Sequence, residues 1–210
     1  MLHHVETLKH AEVVGETKQS HAIQGVLPDT YELKLRSFLF DLQEAIAPTP
    51  YGKNREAWLI GEENTTGDYE FSSHKIKRHT YESWIWEMAR ELFKETGHPL
   101  KPEQRLVAFI PHYSKGSSCG VHQDNEPHMR DDWIVFVSMG TAIQFLLGAA
   151  KDSLKTTQLK SLSVIAMSRY LWHGVPSVTG ERWNITFRVW KTDLSVASQV
   201  SHVDRQKQCV

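Results

Sequence analysis

The spacing of apolar positions changes character part-way along the chain. Tyr31, Leu35, Phe38, Leu39, Leu42 and Ile46 recur every three or four residues, the period of one helix face. Asp29 stands where a cap belongs and Pro48 and Pro50 close the segment, so a helix is predicted between them. A second stripe, Trp84, Met88 and Leu92, predicts a helix opening at Thr80 and ending at Gly97, with Pro99 and Pro102 forbidding its continuation. Between the two, EAWLIGEENTTGDYEFSS reads as two short strands around a loop, hence a hairpin. From Arg105 onward RLVAFIPHY, WIVFVSM, AIQFLL, LSVIAM and WNITFRVW are short, β-branched and aromatic, and turn residues separate them.

Strands that follow one another without intervening helices exclude a parallel βαβ sheet. The predicted class is α+β, mainly β: an antiparallel sandwich buttressed by N-terminal helices. The 210 residues suffice for one domain, expected over 29–192, after a polar, poorly ordered lead-in (1–28) and before a polar tail (193–210).

Composition narrows the function classes. An apolar content of 40% with seven Trp and eight Phe excludes a disordered chain, and no apolar run has membrane-spanning length. A net charge of −1 excludes an overall basic coat, so a polyanion would have to be held by a local patch. Two distant cysteines, Cys119 and Cys209, form neither a disulfide framework nor a thiolate metal site, and the polar start lacks a signal-peptide core. The expected address is intracellular: cytoplasm, or nucleus in a eukaryote.

Twelve histidines direct attention to metal chemistry. A facial two-histidine, one-carboxylate site needs His and Asp or Glu two positions apart, plus a distant His brought in by the fold. The short pair occurs at His4, His10, His122 and His202, but only His122 with Asp124 lies between core strands and has a later partner, His173 in LWHGVP. Two unrelated polar histidines would read the same. In RWNITFR, a period of two puts Arg182, Asn184 and Arg188 on one face. Inside a barrel those arginines require an anion, and a dicarboxylate would satisfy both; on a solvated edge they require none.

Taken together, HQDNEP, LWHGVP and RWNITFR resemble the AlkB family of Fe(II)- and 2-oxoglutarate-dependent dioxygenases, over roughly Glu56 to Trp190. The resemblance implies a double-stranded β-helix (jelly-roll) core, Fe(II) as cofactor, and 2-oxoglutarate and O2 as cosubstrates. It makes His122, Asp124 and His173 the iron ligands, with Arg182 on the distal carboxylate of 2-oxoglutarate and Arg188 near its chelating end. Asn184 and Tyr113 also face the cosubstrate. Pro111 stands where the family usually has Asn, which removes one hydrogen bond.

By the same resemblance Trp58 and Tyr69 stack on a flipped base, with Phe71 a further lid aromatic and Asn125 at the base-contacting position; plain packing of a hairpin would use the three aromatics equally. Lys75, Lys77 and Arg78 in HKIKRH are candidate phosphate contacts, or ordinary surface. The expected function is hydroxylation of a C–H bond, first as oxidative demethylation of an N-alkylated nucleobase in DNA or RNA. The alternative is the same chemistry on a small metabolite or protein side chain, and a third is a non-catalytic binding module.

Overall fold

Turn residues divide the described chain, residues 3–9, 21–71, 74–124 and 126–192 of the computed structural model, into fifteen strands and two helices. In order these are β1 (His3–Lys9), β2 (His21–Val26), α1 (Thr30–Ala45), β3 (Thr49–Pro50), β4 (Arg55–Gly61), β5 (Tyr69–Phe71), β6 (His74–Ile76), β7 (Arg78–Thr80) and α2 (Ile85–Glu95). The second half continues as β8 (Arg105–Tyr113), β9 (Cys119–His122), β10 (Met129–Gly140), β11 (Ile143–Gly148), β12 (Lys155–Leu159), β13 (Ser163–Ser168), β14 (Trp172–Val175) and β15 (Arg182–Trp190).

A large sheet runs β1-β2-β13-β10-β15-β8-β4-β3, with β7 added in parallel to β4. A smaller antiparallel sheet runs β12-β11-β14-β9, and β5 pairs with β6. The two larger sheets enclose one apolar layer containing Ile134, Phe136, Phe145, Leu147 and Ile165. This is the jelly-roll arrangement predicted.

Strand alternation gives the large sheet two different faces. On β15, Ile185, Phe187 and Val189 are fully or almost fully buried and join Leu35, Phe38, Leu42, Ile85, Leu92 and Phe93 of the helices in an outer core. The intervening Arg182, Asn184, Thr186 and Arg188 are thereby turned inward. On β4, Trp58 and Ile60 belong to the outer core while Ala57 and Leu59 belong to the inner one.

Several expectations are corrected. β4 and β5 form no hairpin: β4 pairs with β3, β7 and β8, because its continuous apolar text suits a strand with neighbours on both edges. α2 begins at Ile85 rather than Thr80, since Arg78–Thr80 is taken up as β7 opposite Leu59–Gly61. Asp29 precedes α1 but its side chain makes no capping bond. Within the polar lead-in, β2 pairs with β13 and β1 with β2; β1 is the edge of the sheet and, of the side chains described in β2, few are buried, so this text carries little apolar signal. The polar tail, 193–210, lies outside the described residues. Among the described residues no helix is long and apolar enough to cross a membrane.

The outer core fixes the sheet that carries the site. Replacing the fully buried Phe187 by Ala is expected to cost about 3–5 kcal/mol, measured by urea unfolding.

Candidate active site

β9 and β14 are neighbours in the small sheet, and their register sets His122 directly opposite His173. The ring centroids are 4.4 Å apart. Just beyond β9 the chain brings in Asp124, whose Oδ1 lies 3.6 Å from His122 Nε2 and whose Oδ2 lies 3.8 Å from His173 Nε2. One ligand atom from each of the three can be found within 4.8 Å of the others. The far side of each ring is tied to the backbone: His122 Nδ1 sits 2.8 Å from Gly120 O and His173 Nδ1 3.0 Å from Leu171 O. With an Nδ1–H donating to each carbonyl, both Nε2 atoms are left for a metal.

Arg188, on the inward face of β15, closes the centre from the large sheet. Its Nη2 donates to Asp124 Oδ2 and its Nη1 to Glu126 Oε1, each at 3.0 Å, and all three side chains are buried. Burial alone would raise the Asp124 pKa, but Arg188 and the histidines outweigh it and hold the carboxyl well below its usual range. Burial also dominates at Glu126, whose pKa is raised. His122 is pushed up to about 11, its burial outweighed by Asp124 and Cys119. His173, completely enclosed, falls to about 4 because burial disfavours its charged form.

A cavity opens beside the centre, lined by Tyr51, Tyr69, Tyr113, Phe145, Asn184 and Thr186 among others. At its edge Arg182 is 1% exposed. Its Nη2 donates to Ser138 Oγ at 2.9 Å, while Nε and Nη1 are buried without a partner among the described residues. Burial lowers its pKa to about 10, still high enough to keep it charged at neutral pH.

The sequence profile of the 2OG-Fe(II) oxygenase superfamily (2OG-FeII_Oxy_2) matches residues 13–188. The chain belongs to that superfamily. Solved structures of similar fold include OsALKBH1, at 16% identity and a TM-score of 0.63 over 80% of this chain and 96% of that one. A 2OG-Fe(II) oxygenase family oxidoreductase from Burkholderia pseudomallei, 15% identical, reaches 0.54 over 80% and 84%. A prolyl-4-hydroxylase from Pseudomonas putida, 9% identical, reaches 0.55 over 82% and 93%. No curated protein sequence matches at a significant level.

As a 2OG-Fe(II) oxygenase the chain uses Fe(II), 2-oxoglutarate and O2. The donor set fits: two imidazoles and a carboxylate converge, and the buried guanidinium of Arg182 lacks the anion that a dicarboxylate cosubstrate supplies.

The structure brings together His122, Asp124, His173, Tyr113, Asn184 and Arg188, and places Arg182 beside Tyr113, 5.6 Å from its ring centroid. Tyr69 also lines the cavity, stacked on Phe109 at 4.5 Å and 1% exposed. Trp58 does not. Its ring lies on the opposite face of the sheet, packed 5.2 Å from Trp183 with Nε1 donating to Ile46 O, so base stacking is corrected there. Lys75 is paired with Asp68 at 3.3 Å and Glu70 at 3.4 Å. Arg78 is half-buried and donates to Thr80, while Lys75 and Lys77 are both exposed. The Phe71 side chain and Asn125 lie outside the described residues. Sequence reasoning missed Glu126, Thr186, Tyr51 and Arg55. The first two were available, Glu126 within HQDNEP and Thr186 from the alternation of β15.

Removing the cation shared by two buried carboxylates leaves them uncompensated. Arg188→Met is expected to cost roughly 3–5 kcal/mol of stability by urea unfolding of the metal-free protein at neutral pH.

Proposed function

We propose that His122, Asp124 and His173 hold the Fe(II), that Arg182, Tyr113 and Asn184 receive the distal carboxylate of 2-oxoglutarate, and that the enzyme hydroxylates a C–H bond of a molecule bound in the adjoining cavity. The observation that carries this is a His–Asp–His cluster at the small sheet, facing the inner side of the large sheet where Arg182 is buried with Nε and Nη1 unpartnered among the described residues. When bound, the iron and its cosubstrates supply the oxidising power for C–H cleavage. The protein's part is placement. Asp124, kept ionised by Arg188, contributes charge to the metal site; the backbone carbonyls of Gly120 and Leu171 aim the imidazoles; apolar walls such as Ile134, Phe136 and Phe145 exclude water.

A compact substrate that enters the cavity whole is the reading the geometry supports best. Trp58 belongs to the helix-facing core, which removes one of the groups a nucleic-acid strand would use. Oxidative demethylation of an N-alkylated nucleobase keeps support as a second reading from the aromatic wall of Tyr51, Tyr69 and Phe109.

Succinate release with Fe(II), 2-oxoglutarate and O2 is expected to couple to a member of a small-metabolite panel, and His122→Ala, Asp124→Ala or His173→Ala each to abolish it. Near-native turnover in any of these variants removes that ligand assignment. Turnover of a methylated oligonucleotide with formaldehyde release, together with oligonucleotide binding that weakens steeply above about 50 mM salt, selects the nucleobase reading instead.

Metal loading is expected to displace a proton. In the metal-free protein His122 titrates at about 11 and His173 at about 4, so at pH 7–8 only His122 carries a proton that a metal must remove. Affinity for Mn(II) should therefore rise with pH across the neutral range. Calorimetry in buffers of different ionisation enthalpy should show about one proton released per ion; no release contradicts the assignment.

A further inference from the structure

The site holds a third guanidinium that the iron and 2-oxoglutarate roles leave unused. Arg55 opens β4, and the strand registers set it opposite Tyr113, which is itself opposite Arg182. The three form one row across β4, β8 and β15. The ring of Tyr113 has Arg182 at 5.6 Å and Arg55 at 5.5 Å from its centroid. Arg55 also stands 4.7 Å from the Tyr51 centroid and reaches the Cys119 thiol. Tyr51, Tyr113 and Cys119 all line the cavity.

The surroundings are shaped to seat this guanidinium. Gly52 adopts φ +73, and a Cβ there would fall 2.5 Å from Arg55 Nη2, so any larger residue would push the cation from its place. Arg55 Nε and Nη1 are buried without a hydrogen-bond partner among the described residues.

Charge distribution decides what those N–H groups await. Asp124 and Glu126 are both engaged by Arg188, and no carboxylate among the described residues pairs with Arg55. Of the two carboxylates of 2-oxoglutarate, the proposed function sends the distal one to Arg182, and the other belongs to the molecule's metal-chelating end. Arg55 contacts the Cys119 thiol and the Tyr113 phenol, and with no carboxylate among the described residues to pair it, this partly desolvated cation at the cavity's edge favours an anion arriving with the substrate.

Resting on the oxygenase reading of the site, we propose that Arg55 is a specificity subsite for an anionic group of the substrate, a carboxylate or a phosphate, so that uncharged analogues are discriminated against.

The test uses the full chain loaded with Mn(II) and saturating 2-oxoglutarate, so that the Arg182 position is already filled. Inorganic phosphate is titrated in and its ³¹P linewidth followed, since Mn(II) broadens only phosphate held near it. The wild type is expected to show saturable broadening, Arg55→Met to weaken it by about tenfold or more, the loss of a charge-assisted contact, and Arg55→Lys to retain part of it. Thermal melting of each variant confirms folding. No saturable binding to the wild type, or equal affinity in Arg55→Met, overturns the proposal. Failure of Mn(II) or 2-oxoglutarate to bind, read separately by the resonance of free Mn(II) and by calorimetry, overturns the oxygenase site itself. Acetate and a nucleoside 5′-monophosphate, titrated in parallel, identify the source: tighter binding of the former points to a free acid, of the latter to a phosphate ester.

Discussion

The structure depends on one guanidinium. Arg188 is buried at the centre of the large sheet, where no cation would persist without close partners, and it meets Asp124 and Glu126 from the segment that follows β9. That contact ties the two sheets together at the point where the chemistry is done. It also keeps Asp124 ionised in an apolar enclosure that would otherwise protonate it, so ion pairing serves the fold and the metal site at once.

The large sheet divides its labour by face. Its outer side is filled by α1 and α2 and is mainly apolar; its inner side carries arginines, Asn184, Thr186 and Tyr113 above the small sheet. Rigidity on one side permits polarity on the other. The inner polar groups stay in place because their neighbours in sequence, one residue away, are anchored among helices, and this economy is available only to a strand, with its period of two.

Much of this was legible in the sequence, for definable reasons. Of the five strands read from Arg105 onward, β8, β10, β13 and β15 are buried on both faces over most of their length and so read as largely continuous β-branched and aromatic text, while β11 alternates, with Gln144 exposed. The two inner arginines of β15 followed from alternation, and His122, Asp124 and His173 from a spacing that the strand pairing reproduces. Alternation tells which residues share a face, but not which face looks inward. The family resemblance placed Trp58 on a flipped base, and alternation alone could not correct it: its neighbours Ala57 and Leu59 are the inward pair. Arg55 was invisible for a related reason: a solitary arginine at the start of a strand acquires meaning only when β8 sets Tyr113 beside it and β15 adds Arg182. Short elements such as β9 and β14, at four residues each, carry too little periodicity to be read alone. They nevertheless hold both histidines.

The seam between those two short strands is unusually close. At Gly174, the residue after His173, a Cβ would lie 3.2 Å from the backbone of both Cys119 and Val121. The spacing of the imidazoles is consequently set largely by main chain against main chain, with Val121 Cγ2 the one side-chain atom at the same 3.2 Å among the three nearest. Most enzyme sites can drift, one methyl group at a time, toward a different metal or a wider pocket. Here even one methyl group at Gly174 would require the facing strand to give by a few tenths of an ångström, so the gauge between the two ligand strands is less free to change than the walls and the rim.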